Sequence, residues 1–143
     1  MDNKWFEFLK NDYSQGFPAF CGFEVQRVDH GVFDTSLRIR PEHRQQDGFV
    51  HAGVMATIAD HTAGYAAYTT VSEKYRILTI EFKINYLRPA MGDTITCRSR
   101  VISGGRKVIV SESEIYAEHR GSEEIVSKAM VTLMVVPVET QAG

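Results

Sequence analysis

The sequence predicts an α+β domain in which an antiparallel sheet wraps one long central helix, preceded by a short N-terminal helix; three patterns predict it. From Phe23 onward, short runs alternate apolar and polar residues with the two-residue period of a strand. One proline-free stretch, Gly53 to Thr70, breaks that period and carries Ala56, Ala59, Ala63, Ala66 and Ala67 among Val54, Met55, Ile58 and Tyr65, the composition of a helix buried on most sides. Four further strand-like runs follow it. One helix among many strands gives a sheet packed on a helix, with its other face wet or covered by another subunit.

Each element follows from its own residues. Asp2 to Asp12 sets Trp5, Phe6, Phe8 and Leu9 at one- to three-residue spacings, which predicts a brief amphipathic helix serving as a lid or packing arm. Phe23 to Val28 and Val32 to Arg40 read as two strands joined at Asp29-His30-Gly31, with Phe33, Leu37 and Ile39 on one face. Pro41 to Gly48 is polar and reads as loop. After Ser72-Glu73-Lys74, the strand Ile77 to Leu87 places Leu78, Ile80, Phe82, Ile84 and Tyr86 on one face and Thr79, Glu81, Lys83 and Asn85 on the other. Pro89 and Gly92-Asp93 end it, and Gly104-Gly105 marks a hairpin between the strands Thr94–Ser103 and Lys107–Glu118. A turn at Arg120-Gly121-Ser122 leads to the last strand, Ile125 to Val136. The last four strands read as an antiparallel meander. With 143 residues and 43% hydrophobic content, no repeat and no linker, the chain predicts one domain over 1–143 with its core at about 23–136.

Composition narrows the function. Lys plus Arg number 16 against 18 Asp plus Glu, so no global basic field is present to hold nucleic acid or an anionic membrane. Cys21 and Cys97 are far apart and belong to no Cys-x-x-Cys pair, which predicts a reducing, cytoplasmic setting rather than a zinc site or disulfide scaffold. The start, MDNKWFEFLKNDY, lacks the apolar core of a signal peptide, and no apolar run approaches a membrane span. His30, His43, His51, His61 and His119 show no metal-ligand spacing. Ser36, Ser111 and Ser113 sit in strand patterns without a nucleophile elbow, and no glycine-rich phosphate motif appears.

Asp60 is the residue that stands out, a carboxylate flanked by Ile58, Ala59, Ala63 and Gly64 in a helix of small residues. Two readings of it stand: a general base held close to a substrate, its proton affinity set between burial and nearby donors, or a member of a wet stripe with His61 and Thr62. Val50-His51-Ala52-Gly53 lies where loop becomes helix. The unpaired N–H groups of a helix start, with small residues beside them, can receive a ligand oxygen, so Ala52 and Gly53 are a candidate oxyanion hole. His51 is a candidate base or, directly before the helix, a brace for the loop. Gln45 and Gln46 precede it, and an amide there can orient water or a carbonyl.

Taken together, Gln45, His51-Ala52-Gly53, Asp60 and the strand Thr79-Ile80-Glu81-Phe82-Lys83-Ile84-Asn85-Tyr86-Leu87-Arg88-Pro89-Ala90 resemble the phenylacetate-pathway (PaaI-like) branch of the hotdog-fold thioesterases, over about Phe23 to Val136. The acid follows the motif histidine by nine positions, Gln45 precedes it by six, and Thr79 and Tyr-x-x-Pro-Ala fall in register. The resemblance implies an acyl-CoA thioesterase releasing free acid and coenzyme A. In it Asp60 is the general base or nucleophile, Gln45 holds water or thioester, Thr79 is a supporting hydroxyl, and the Ala52 N–H polarises the carbonyl. It also implies a homodimer or dimer of dimers, with Gln45 and Ala52 of one chain facing Asp60 and Thr79 of the other, and no cofactor or metal. His-Ala-Gly departs from the family's His-Gly-Gly and is compatible with a backbone donor only where φ at Ala52 is negative and the added methyl does not meet the acyl group. Arg88, Arg106 and Lys107, beside strand-end turns, are candidates for the phosphates of coenzyme A or simply solvated turn charges. A non-catalytic acyl-CoA-binding module and a hotdog hydratase or dehydratase are the competing functions.

Overall fold

The computed structural model describes residues 3–139. Helix α1 spans Asn3–Tyr13, and its buried stripe, Leu9 and Tyr13, faces the rest of the chain; Asp2, where the sequence would start it, lies outside the described residues. The periodicity missed a five-residue helix, α2 (Phe17–Cys21), which is too short to show a period. It opens with Pro18 in its first turn and closes on the left-handed Gly22. Strands β1 (Phe23–Asp29) and β2 (Val32–Arg38) pair antiparallel, a 3-10 turn covers Pro41–His43, and α3 runs from Ala52 to Tyr68. Strands β3 (Tyr75–Tyr86), β4 (Thr94–Gly104), β5 (Val108–His119) and β6 (Ser122–Pro137) complete one six-stranded sheet.

The strand order is β1-β2-β4-β5-β6-β3. The expected four-strand meander is therefore corrected: β4, β5 and β6 form one, but β3 pairs with β6 and lies at the sheet's edge. Backbone bonds along the connection show how the chain gets across. Leu87 N–H and Arg88 N–H donate to Val126 O on β6, Asp93 N–H to Glu118 O on β5, and Asp93 O accepts from Ile39 N–H beyond β2. The segment thus crosses the ends of the intervening strands, bonding to each side, and delivers β4 against β2.

Helix α3 lies in the curve of this sheet. Ala59, Ala63, Ala66 and Ala67 are fully buried, so the strands approach its backbone closely. Hydroxyls fill the gap between helix and sheet. Ser113 Oγ donates to Ala59 O at 2.7 Å and meets Ser99 Oγ at 2.6 Å. Thr62 Oγ1 lies 2.9 Å from both Thr35 Oγ1 and Tyr13 Oη. These bonds satisfy groups that burial would otherwise penalise. Cys97, fully buried beneath the helix beside Ile58 O, has its thiol pushed up to about 11 by desolvation and stays protonated.

One irregularity shapes the site. The pairing of β3 with β6 slips between Thr79 and Glu81, a bulge that reverses which side chains face the helix. Before it, Ile77 is buried and Thr79 reaches α3; after it, Ile84 packs on the core and Tyr86 reaches α3. The sequence had placed Leu78 on the face of Phe82 and Tyr86, away from Thr79. Instead Leu78 lies opposite Met134, both side chains exposed, while Thr79 faces inward.

Candidate active site

The loop ahead of α3 is stapled at both ends. Val50 N–H donates to Ala90 O at 2.9 Å and His51 N–H to His43 O at 2.8 Å, while Arg44 Nη1 holds Gly48 O at 2.8 Å. Ala90 is fully buried, so the Tyr-x-x-Pro-Ala segment anchors the entry to the helix. His51 is the N-cap: its Nδ1 accepts from Gly53 N–H at 2.8 Å and its carbonyl from Val54 N–H and Met55 N–H. A methyl group on Gly53 would sit 3.0 Å from that Nδ1, which is why glycine follows Ala52. Gly53 N–H is thus taken by the cap. Of the two expected oxyanion donors, Ala52 alone keeps an unengaged first-turn N–H among the described residues. Arg120 is the only non-glycine residue with positive φ among them, so Ala52 meets the backbone condition its methyl imposes.

This helix start opens into a cavity of about 580 Å³, lined among others by Gln45, His51, Ala52, Tyr86 and Arg88. Gln45 Oε1 accepts a short hydrogen bond from Asp47 N–H, which leaves the amide nitrogen without a partner among the described residues. Tyr86, whose role the sequence did not assign although it stands in the quoted strand motif, donates from Oη to Ala52 O at 3.0 Å and fixes the first turn against β3.

Asp60 sits elsewhere. Eight residues of helix separate it from Ala52, about 12 Å of axial rise. Thr79 Oγ1 donates to Asp60 Oδ1 at 2.7 Å, and Oδ2 has no hydrogen-bond partner among the described residues. Asp60 opens into a second cavity of about 420 Å³, lined by Phe17, Pro18, Ala56, Thr57, His61 and Phe82. The wet-stripe reading holds for neither of its neighbours: Thr62 is fully buried, and His61 packs between the rings of Tyr13 and Tyr65 with Nε2 3.1 Å from Tyr13 O.

Burial lowers the proton affinity of His61 from its ordinary value of 6.5, against the opposing pull of Tyr13 O and Asp60. A depressed folded value means that the fold refuses a proton the unfolded chain accepts. The associated stability is present above 6.5 and is lost as pH falls through 6.5 toward the folded value. The melting temperature is therefore expected to drop on acidification below 6.5, and to drop less steeply in His61→Gln. Parallel pH profiles for the two proteins would contradict this.

The candidate phosphate-binding cations do not converge. Arg88 is held by Glu124 at 3.2 Å and Ile125 O at 3.1 Å near the C-terminal end of β3. Arg106 and Lys107 lie in the β4–β5 turn, at the sheet end where β3 begins. Within one chain they form no common site. Among the described residues no three His, Cys, Asp or Glu side chains group as metal ligands, and no helix is long and apolar enough to cross a membrane.

A long helix wrapped by one antiparallel sheet is the arrangement of the hotdog fold. The chain belongs to the thioesterase superfamily, whose family model matches residues 47–124, from the loop before α3 into β6. It is 26% identical over 138 residues to the medium/long-chain acyl-CoA thioesterase YigI of Escherichia coli (strain K12), covering 86% of this chain and 87% of that protein. The crystal structure of a thioesterase family protein from Silicibacter pomeroyi superposes with a TM-score of 0.91 at 30% identity, covering 94% of this chain and 99% of that one. A hypothetical thioesterase protein from Streptococcus pneumoniae, crystallised with coenzyme A, shares the fold with a TM-score of 0.76 at 21% identity, over 91% and 98% of the two chains.

Proposed function

We propose that the protein is a cytoplasmic acyl-CoA thioesterase, needing no metal or cofactor, whose active site is assembled from two copies of the chain. One observation carries this reading: the carboxylate and the free N–H donor lie on one helix about 12 Å apart, and each opens into its own cavity beside β3, the strand at the sheet's edge. A thioester carbonyl is only a few ångströms across, so a single chain cannot offer both groups to it. Antiparallel pairing of β3 with β3 of a second copy about a twofold axis turns the start of one α3 toward the middle of the other. Two half-sites then make two complete ones.

In each, the Ala52 N–H of one subunit, at the positive end of its helix, stabilises the oxyanion as the carbonyl is attacked. Gln45 of the same subunit directs its amide at water or thioester. Asp60 of the other subunit, steadied through Oδ1 by Thr79, uses Oδ2 to take a proton from the attacking water. The tetrahedral intermediate collapses, the C–S bond breaks, and coenzyme A leaves as a thiolate that needs no metal to stabilise it. The relative from E. coli acts on medium- and long-chain acyl-CoA, which supports the same substrate class here. Arg88 is the cation placed to meet the phosphates from the Ala52 side.

Thiol release from a panel of short, medium, long and aromatic acyl-CoAs is the direct test, with hydrolysis of at least one expected. Tight acyl-CoA binding without turnover would make the protein a binding module instead, and water addition to an enoyl-CoA a hydratase.

A further inference from the structure

The cavity beside Asp60 has walls that the chemistry of hydrolysis leaves unused. Phe17 and Phe82 line it while remaining 60% and 39% exposed, apolar surface that gains by being covered. The polar groups around it are partly satisfied elsewhere. His61 turns Nε2 to Tyr13 O, and burial disfavours a charge on its ring. Thr57 Oγ1 donates to Gly53 O at 2.7 Å. The polar atoms left open around it are Asp60 Oδ2 and His61 Nδ1, neither with a hydrogen-bond partner among the described residues. A ligand matching this pattern carries a reactive carbonyl at one end and an apolar body next to it.

Phe17 has no part in holding the fold. Helix α2 buries none of its residues and is tied down through its backbone, Phe20 O accepting from Arg40 Nη2 at 3.1 Å and Cys21 O lying 2.7 Å from His43 Nε2. It is bounded by Gly16 and Gly22, both at positive φ. A ring left 60% exposed over the Asp60 cavity, on a helix whose only residue packed against the core is Cys21, is explained by what the cavity receives.

We infer that this cavity is the acyl pocket and that Phe17 is its specificity-determining residue, selecting apolar acyl groups well beyond acetyl in size. The inference rests on the thioesterase reading of Asp60 and extends it to substrate choice. The experiment compares kcat/KM for acetyl-, octanoyl- and phenylacetyl-CoA in the wild type, Phe17→Ala and Phe20→Ala. Phe17→Ala is expected to lower the octanoyl-to-acetyl and phenylacetyl-to-acetyl ratios by about tenfold or more, the scale on which an apolar pocket discriminates. A larger loss with phenylacetyl assigns the pocket to aromatic acyl groups, and a larger loss with octanoyl to aliphatic ones. Phe20→Ala removes an equally large ring from the same helix but outside the cavity, and is expected to leave both ratios at the wild-type value. Ratios within about twofold of wild type in Phe17→Ala, or an equal change in the two variants, would overturn the assignment. Should the wild type hydrolyse none of these thioesters, the thioesterase reading fails and the pocket is judged separately, by calorimetry with non-hydrolysable S-methyl- and S-octyl-CoA. A preference for the octyl compound that Phe17→Ala abolishes sustains the pocket; equal affinity for both compounds in the wild type sinks it.

Discussion

Replacing Asp60 by asparagine is expected to lower kcat for acyl-CoA hydrolysis by about two to four orders of magnitude, the usual contribution of a positioned general base. The substitution isolates basicity from architecture. An asparagine oxygen still accepts from Thr79 Oγ1, now at 2.7 Å from Oδ1, and neither cavity changes shape, so KM and the melting temperature are expected to stay near wild type. The amide can no longer take a proton from water. Turnover close to wild type in a variant of unaltered stability would remove Asp60 from the mechanism.

Ala52→Pro is expected to cost about two to three orders of magnitude in kcat, as loss of an oxyanion donor does, again without unfolding the chain. Ala52 is the first residue of α3, where proline is tolerated because the N–H it lacks makes no intrahelical bond. The preceding His51, at φ −61° and ψ 135°, already has the extended backbone that a following proline requires. The substitution therefore replaces the N–H by the ring Cδ while leaving every bond of the helix in place. Mixing subunits makes the result sharper. In a heterodimer of an Asp60→Asn chain with an Ala52→Pro chain, one of the two composite sites combines the intact Ala52 of the first with the intact Asp60 of the second. Unfolding and refolding the two inactive proteins together is expected to restore about a quarter of wild-type activity, from random pairing in which half the dimers are mixed. No restoration would show that each site lies within one chain.

Much of this architecture was legible in the residues, and the losses have physical causes. Strands and central helix could be read because alternation and an alanine-rich, proline-free run are local signals. Strand order could not: nothing in Tyr75–Tyr86 says that its partner is Ser122–Pro137 rather than Thr94–Gly104, since the choice is made by a connection whose bonds are to distant carbonyls. The inward turn of Thr79 was hidden for a similar reason, because a bulge adds one residue to a repeat without leaving a mark in composition. At the candidate site, Asp60 and Ala52 stood out by type and spacing. The engagement of Gly53 N–H by His51 Nδ1 did not, since it depends on an imidazole rotamer, and α2 escaped because five residues carry no period.

The placement of β3 also has a consequence for how the protein is made. Emerging from the ribosome immediately after α3, this strand finds no neighbour in the sheet until β6 has been translated, because its partners lie between 41 and 62 residues further along, from Tyr86 with Ser127 to Tyr75 with Pro137. At roughly 5–20 residues per second, that is an interval of about 2 to 12 seconds in which Leu78, Ile80 and Phe82 are displayed on a strand with both edges bare. The segment that supplies Thr79 is thus among the first halves of the sheet to be synthesised and the last to be zipped, and the nascent chain is most open to chaperones, and to mispairing with its neighbours on a polysome, along this one strand.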